Sequence, residues 1–256
     1  MPIPLAVTLA HARLTGERID HHGVVVPATA AEAYAVDDEV AGLAATPVIG
    51  WKIGATSSAA QEMLGVKTPI SGRVYEGTVF ESGRTLPSSL FHHPPMIECE
   101  IAVRTASDLP PAGAPITAAS ARAMVASVHP AIELVGTRFE AGLAVPPALL
   151  VADGSVHAAL VLGDPVDAET AGDLAAIACQ LLIDGEFTAE GVGSAVLGDP
   201  YAAVAWLCNH LRQRGIGLPA GSVITTGTMT GLTPSSTGQQ VVNDAGPLGR
   251  VGLHLP

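Results

Sequence analysis

The spacing of apolar residues along the chain changes near residue 46. Before that point, apolar side chains recur at helical spacing over residues 4–14 and again over residues 29–45. Thr29 precedes Glu32 by three positions, which predicts a capping box at the start of the second helix. The sequence therefore predicts a helical segment over residues 1–46.

From residue 47 onward, short apolar runs alternate with Gly and Pro, a pattern typical of strands joined by turns. The predicted strands cover residues 48–54, 97–104, 131–135, 156–162, 177–187 with a turn at 184–185, 222–226 and 250–254. Helical patterns interrupt them at 58–64, 118–128 and 200–214. Strands and long helices do not alternate strictly, so a doubly wound parallel sheet is not expected. We predict an α+β fold with a strand-rich body over residues 47–256.

Composition narrows the possible functions. Hydrophobic residues make up 48% of the 256 residues and charged residues only 14%, which excludes disorder for most of the chain. A net charge of −12 argues against binding to nucleic acids or to anionic membranes. No apolar run approaches the ~20 residues of a membrane span, and the three cysteines form no CxxC pair. We expect a soluble, cytoplasmic protein.

Three glutamates stand in apolar surroundings. Glu98 and Glu100 alternate with apolar residues, so in a strand both side chains share one face, and Glu133 lies in another apolar run. Such a pair of glutamates could also lie on a solvated edge strand. Burial of carboxylates is costly unless they are paired or coordinate a metal. Convergence of all three would suit a hard divalent cation such as Mg²⁺ or Mn²⁺.

Lys52 is one of only two lysines in the chain and lies inside the apolar run 48–54. It could extend to solvent from a strand end. Alternatively, its ammonium could bind an anionic substrate, or burial could lower its pKa for proton transfer.

The remaining candidates are weaker. Asp153 could form a turn or contact the site, and nearby His157 could act as an acid or base near neutral pH. Arg138 could bind a substrate carboxylate or pair with a surface acid. Gly227 and Thr228 follow an apolar run, and a glycine-rich loop there could present backbone N–H groups to an anion.

Several motifs occur together in a specific order. They are Gly-Trp-Lys-Ile-Gly-Ala-Thr-Ser (50–57), Leu-Gly-Val (64–66), Glu-Cys-Glu-Ile-Ala (98–102), Pro-Ala-Ile-Glu-Leu-Val (130–135), Val-Ala-Asp-Gly (151–154), Val-Leu-Gly-Asp-Pro (196–200), Ala-Trp-Leu (205–207) and Thr-Thr-Gly-Thr (225–228). From about residue 29 to the C-terminus, the chain resembles the 2-keto-4-pentenoate hydratase and 4-oxalocrotonate decarboxylase branch of the fumarylacetoacetate hydrolase superfamily.

The resemblance implies a rolled mixed β-sheet preceded by a helical segment. It also implies Mg²⁺ or Mn²⁺ held by Glu98, Glu100 and Glu133, an active-site Lys52, and Asp153 beside the site. The substrates implied are 2-keto acids from the catabolism of aromatic compounds. The expected reaction is hydration of a 2-keto-4-enoate to a 4-hydroxy-2-keto acid through a stabilised enolate.

Two departures from the family pattern leave alternatives open. Gly77 stands where many hydratases have an acid, with Glu76 beside it, and Val156 stands at the position of a family serine, flanked by Ser155 and His157. The alternatives are decarboxylation of a 2-keto diacid, with Arg73 or Arg138 binding the second carboxylate, hydrolysis of an acylpyruvate, and a silent partner subunit. Family membership also implies a homo-oligomer, which could associate with a related enzyme.

Overall fold

A computed structural model describes residues 3–256. The helices are α1 (Leu5–Thr15), α2 (Ala30–Leu43), α3 (Ser58–Leu64), α4 (Ala118–Arg122), α5 (Pro147–Ala152) and α6 (Pro200–Gln213). The strands are β1 (Val48–Gly54), β2 (Ile70–Tyr75), β3 (Val79–Glu81), β4 (Arg84–Thr85), β5 (Met96–Thr105), β6 (Val125–Val135), β7 (His157–Leu162), β8 (Val166–Asp167), β9 (Ala178–Ile183), β10 (Glu186–Val192), β11 (Val223–Thr228), β12 (Thr233–Pro234), β13 (Gln240–Asp244) and β14 (Arg250–His254).

The strands form two sheets. In the larger sheet the order is β2-β1-β11-β5-β6-β7-β3, with β12 beside β5 and β8 beside β6. The smaller sheet has the order β10-β9-β13-β14-β4. Both sheets mix parallel and antiparallel pairs, which confirms the predicted α+β class with a mixed sheet. Strand β5 lies in the interior of the larger sheet, so the alternative of a solvated edge strand for Glu98 and Glu100 is wrong.

One predicted helix was too long. The pattern over residues 118–128 forms helix only through Arg122, and residues 125–128 already belong to β6. Pairing with β5 extends along nearly all of β6, and this long ladder outweighs the local helical pattern. Seven other elements were not predicted, namely β2, β3, β4, β8, β12, β13 and α5. Each is short, and its surroundings rather than its periodicity define it.

The N-terminal helices pack on the sheet body through an apolar cluster that includes Leu9, Val40 and Leu149 of α5. Thr29 caps α2 as predicted, since its hydroxyl accepts from the N–H of Glu32 at 3.1 Å. The Glu32 carboxylate, however, accepts from the N–H of Ala28, one residue earlier than a capping box requires. A domain boundary between residues 46 and 47 stays a prediction.

None of the helices within residues 3–256 is both long and apolar enough to cross a bilayer.

Candidate active site

Three glutamates converge in the middle of the larger sheet. Glu98 and Glu100 extend from the same face of β5, and in the antiparallel pair with β6 Glu98 lies directly opposite Glu133. One carboxylate oxygen from each of the three lies within 4.8 Å of the others. The period of two in β5 and the register with β6 thus bring together the acids that the sequence analysis selected.

These carboxylates are removed from solvent. Glu100 and Glu133 are fully buried, and Glu98 is 7% exposed. Burial and the neighbouring Glu133 raise the pKa of Glu100 to about 8. Burial also raises the pKa of Glu98 and of Glu133, although Lys52 opposes the shift in both. Burial, together with the like charges of neighbouring carboxylates, produces such shifts, which are typical of functional sites.

The cluster has the composition of a divalent cation site. Glu100 Oε1 and Glu133 Oε2 are buried and have no hydrogen-bond partner among the described residues. Unpaired buried carboxylate oxygens are costly, and metal coordination would satisfy them. When all three carboxyls are ionised, they and the Lys52 ammonium together carry two negative charges, which one divalent cation balances. All-oxygen donors suit Mg²⁺ or Mn²⁺.

Lys52 extends from β1 into the same cluster. It is 2% exposed, and its Nζ lies 3.5 Å from Glu133 Oε1. Burial opposes the charged form, but Glu133, Glu98 and Glu100 outweigh it and raise the pKa of Lys52. The side chain therefore carries an ammonium inside the protein. Neither a solvent-directed lysine nor one with a lowered pKa fits this environment.

His157 contacts Glu133 on the side away from the cavity. Its Nδ1 lies 2.9 Å from Glu133 Oε1, and its Nε2 lies 3.0 Å from the hydroxyl of Thr78. Burial and the nearby Lys52 lower the pKa of His157, so the ring is neutral. Because a carboxylate accepts, we assign the ring proton to Nδ1, which donates to Glu133. His157 therefore orients a candidate metal ligand.

A second support holds Glu100. The hydroxyl of Thr225 and the N–H of Gly227, at 2.9 Å, both donate to Glu100 Oε2. Gly227 has a φ of +117°, and a Cβ there would lie 2.3 Å from Thr56 Oγ1, so no other residue fits. Backbone N–H donation at this loop was predicted, but the acceptor is a glutamate of the cluster. Thr228 borders the cavity described next.

A cavity of about 260 Å³ opens beside the cluster. Glu98 and Lys52 contribute its charged groups, and Ser57, Ser155 and Thr228 contribute hydroxyls. Most of the remaining lining is apolar, including Ala55, Met63, Leu64, Ile70, Val135, Val156, Met229 and Leu232. Lys52 is the single basic residue among the described residues that line it. The cavity can therefore hold a small molecule that has one anionic end and an apolar chain.

A strained turn forms one wall of this cavity. Gly154, Ser155 and Val156 have consecutive φ values of +65°, +50° and +61°. Left-handed backbone is rare for any L-residue and exceptional for a β-branched valine. Ser155 Oγ donates to the Ser71 carbonyl at 2.7 Å, and Gly136 N–H donates to the Val156 carbonyl at 2.9 Å. The turn places Ser155 and Val156 at the cavity and His157 behind Glu133, an arrangement the sequence analysis did not predict.

Asp153 and Arg138 hold that turn in place. The Asp153 carboxylate is fully buried and accepts from the hydroxyl of Thr137 at 3.0 Å and from the Arg138 N–H at 2.9 Å. The Arg138 guanidinium lies 3.1 Å from Asp153 Oδ1 and donates to the His157 carbonyl. Neither residue lines the cavity beside the glutamates, and Arg138 does not pair with a surface acid. Burial and nearby Arg13 lower the pKa of Arg138 to about 10.

Two other sequence positions lie away from the cluster. Glu76 is exposed and does not line the cavity, so it does not substitute for the acid absent at Gly77. His21 and His22 form a short turn beside Asp20, in which their ring centroids lie 4.0 Å apart. That group is largely exposed.

Comparison with known proteins agrees with this geometry. The model of the fumarylacetoacetate (FAA) hydrolase C-terminal family matches residues 46–251. A 2-hydroxyhexa-2,4-dienoate hydratase from Comamonas testosteroni is 35% identical over 75% of this chain and 72% of its own length. A 4-oxalocrotonate decarboxylase from Pseudomonas sp. (strain CF600) is 32% identical over 76% and 72%.

Among solved structures, the 4-oxalocrotonate decarboxylase from Pseudomonas putida G7, complexed with magnesium and adipate, superposes with a TM-score of 0.89. It is 30% identical, and the match covers 98% of this chain and 96% of that one. The superposition extends the likeness to the N-terminal helices, beyond the residues that the family model matches. This chain belongs to the fumarylacetoacetate hydrolase family, in the branch of the 2-keto-4-pentenoate hydratases and 4-oxalocrotonate decarboxylases.

Proposed function

We propose that this protein is a divalent-metal-dependent hydro-lyase that adds water to a 2-keto-4-enoate and forms a 4-hydroxy-2-keto acid. Glu98, Glu100 and Glu133 are the proposed ligands of Mg²⁺ or Mn²⁺, and Lys52 is the proposed catalytic cation. Two of the related proteins are hydratases whose names give a 2-hydroxy-2,4-dienoate as the substrate.

The single observation that favours a hydratase over a decarboxylase is the charge of the residues that line the cavity. A diacid needs a basic partner for its second carboxylate, and Arg73 and Arg138 were the predicted candidates. Arg73 instead pairs with Asp37 and Asp38, and Arg138 with Asp153. Since Lys52 is the one basic residue at the cavity within residues 3–256, a substrate with one carboxylate and an apolar tail fits better.

The chain's own residues explain how such a substrate would be handled. When bound, a divalent cation supplies Lewis-acid stabilisation of the negative charge that develops on the keto oxygen. The Lys52 ammonium adds positive charge and donates a hydrogen bond to the substrate carboxylate or to the enolate oxygen. The apolar wall holds the carbon chain and limits access of bulk water. The Ser155 hydroxyl is the group we propose to orient the water that adds at C4.

An acylpyruvate hydrolase needs a histidine–glutamate pair that activates water in the cavity. His157 and Glu133 form such a pair, but the imidazole lies behind the glutamate and does not line the cavity. That placement supports a positioning role for His157 and does not favour hydrolysis. A silent subunit is also disfavoured, because the full set of Lys52 and three glutamates is assembled.

The test follows the ultraviolet absorbance of 2-hydroxypenta-2,4-dienoate before and after chelation, with Mg²⁺ or Mn²⁺ then restored. We expect metal-dependent loss of the dienoate and formation of 4-hydroxy-2-oxopentanoate. A parallel assay offers 4-oxalocrotonate and measures carbon dioxide. Release of carbon dioxide without a hydrated product would refute the hydratase activity and support the decarboxylase activity.

We also propose that the protein is a homo-oligomer, which could associate with a related enzyme of the same pathway. The general frequency of symmetric homo-oligomers supports this proposal, and exposed apolar side chains such as Val7, Val48 and Phe187 are available for an interface. Light scattering coupled to gel filtration tests the oligomer directly. A monomeric mass at micromolar concentration would refute it.

A further inference from the structure

A second cavity lies between the N-terminal helices and the sheet body. It has a volume of about 240 Å³, and its lining shares no residue with the cavity beside the glutamates. Its apolar wall comes from both N-terminal helices and from parts of the sheet body that face them, and includes Ala10, Leu14, Val40, Leu43, Leu90 and Ala158. No part of the proposed reaction uses this space.

The polar side of this cavity is positive. Arg13 and Arg138 both line it, while no acidic residue does so among the described residues. Asp153, which pairs with both guanidiniums, is fully buried behind them. Both guanidiniums contact this one carboxylate, and Asp37, whose carboxyl also interacts with Arg13, does not line the cavity. The charged side chains that line the cavity are therefore all positive, in a chain whose net charge is −12.

Hydrogen-bond donors in this wall also lack partners. The Tyr75 hydroxyl and Arg13 Nε are buried and have no hydrogen-bond partner among the described residues. Tyr75 is 5% exposed, and the Arg13 guanidinium lies over its ring at 5.7 Å. The His92 Nε2 is already engaged by the Ala12 carbonyl at 2.9 Å. Buried donors without acceptors beside an excess positive charge are the complement of a carboxylate.

We infer that this cavity is a second binding site, which takes a small monocarboxylate with a short apolar tail. The carboxylate pairs with Arg13 and accepts from the Tyr75 hydroxyl, and the tail lies against Leu43 and Leu90. Thr78 also lines this cavity, and its hydroxyl contacts His157, which contacts Glu133. A chain of three hydrogen-bonded side chains therefore links this cavity to the glutamate cluster.

Titration calorimetry with pentanoate tests the site on full-length protein from which metal and chelator have been removed. Without metal, the proposed catalytic cavity loses its main attraction for carboxylates. We expect one saturable site per chain and no heat from pentanamide, which has the same tail without the charge. 2-Oxopentanoate in the same assay distinguishes a site for simple acids from one that prefers the reaction's own 2-keto acids.

Two kinds of variant locate the binding. Arg13→Gln is expected to weaken pentanoate binding at least tenfold, and Tyr75→Phe severalfold. Because Arg13 also contacts Asp153, a second approach leaves the charges intact. Ala45 is exposed and lines the cavity, so Ala45→Trp should block it, while Ala35→Trp, on an exposed position of α2 outside this cavity, should bind normally.

Absence of pentanoate binding to the wild type would overturn the inference. So would binding that persists unchanged in Ala45→Trp, or binding that Ser57→Ala at the other cavity abolishes. None of these outcomes depends on catalytic activity, so the result is independent of the proposed hydratase.

Discussion

Glu98 on β5 and Glu133 on β6 lie directly opposite each other in an antiparallel ladder, both buried, with Lys52 Nζ 3.5 Å from Glu133. Like charges at directly opposed positions destabilise a sheet. A fold that has this arrangement in its interior is most stable when a cation is bound between the carboxylates. We therefore expect the two glutamates to destabilise the metal-free protein and to stabilise the metal-bound protein.

Glu98→Gln should stabilise the metal-free protein and remove its response to metal. Loss of one like charge is expected to raise the free energy of unfolding by about 1 kcal/mol in the presence of chelator. The wild type should gain stability from Mg²⁺ by mass action, whereas the variant should gain little. Thermal unfolding with and without Mg²⁺ measures both effects. Glu81→Gln, at an exposed position of β3, is the control, and equal Mg²⁺ stabilisation of Glu98→Gln and wild type would contradict the assignment.

Lys52→Met should reduce kcat/KM for the dienoate by at least about a hundredfold, because it removes a buried positive charge at the proposed reaction centre. The chain offers a matched control, since its other lysine, Lys67, is exposed. Steady-state kinetics of Lys52→Met and Lys67→Met at saturating Mg²⁺ make the comparison. Equal rates for the two variants would exclude Lys52 from the reaction.

His157→Leu should weaken metal binding about 10–100-fold, because the side chain that orients Glu133 is lost. His157→Asn retains a donor near the position of Nδ1 and should recover part of the affinity. Calorimetric titration with Mn²⁺ measures both, with the exposed His254→Asn as control. A positioning role also predicts that excess metal restores most of the activity of His157→Leu. Loss of activity that no metal concentration restores would instead indicate direct participation in the reaction.

Gly227→Ala should destabilise the protein by about 2–3 kcal/mol and weaken metal binding. The new Cβ would collide with Thr56 and displace the N–H that donates to Glu100. Gly238 has a φ of +79° with nothing within 4 Å, so Gly238→Ala should cost only about 1 kcal/mol of backbone strain. Urea unfolding and Mn²⁺ titration of both variants separate steric collision from strain. Equal losses in the two variants would contradict this account.

Acid should destabilise the protein in part through His210, which stacks on Trp206 at 4.9 Å. Burial and nearby Arg214 lower the pKa of His210 to about 4, against 6.5 for an unperturbed histidine. Between these values the unfolded chain binds the proton and the folded chain does not, so stability falls as the pH falls from 6.5 to 4. The contribution is on the order of 2 kcal/mol.

Asp37 acts in the opposite direction over part of this range, because burial raises its pKa to about 6. The measurement is therefore the difference between the wild type and His210→Gln in urea unfolding at pH 7 and pH 4.5. We expect the variant to lose less stability on acidification. Identical pH dependence of the two proteins would refute the assignment to His210.

Much of the site could be predicted from the sequence, because it depends on local geometry. The alternation of Glu98 and Glu100 with apolar residues determines that both lie on one face of a strand, whatever the fold around them. The scarcity of charged residues and the order of motifs identified Glu133, Lys52 and the family, and the comparisons confirm the family. The roles of these residues in a reaction stay predictions.

The tertiary structure decided which groups meet. Only strand register could place Glu98 opposite Glu133, and only the order β11-β5-β6 could make β5 an interior strand. The sequence offered Asp153, Arg138 and His157 only as weaker candidates, on the chemistry of their side chains and their positions near apolar runs. Their partners lie on other elements, so their positions behind the cavity could not be inferred from spacing.

The left-handed turn at Ser155 and Val156 is the clearest feature that the tertiary structure determines and the sequence pattern does not. Local preference disfavours that backbone for both residues, and a sequence pattern reports only local preference. Contacts with other segments stabilise this left-handed backbone. They are the hydrogen bonds from Ser155 to β2 and from Gly136 to Val156, and the contact of the buried Arg138 with His157. Periodicity and residue chemistry thus determined the faces and the candidate ligands. Contacts between distant segments determined the cavity, because their energies exceed the local preferences of the residues that they constrain.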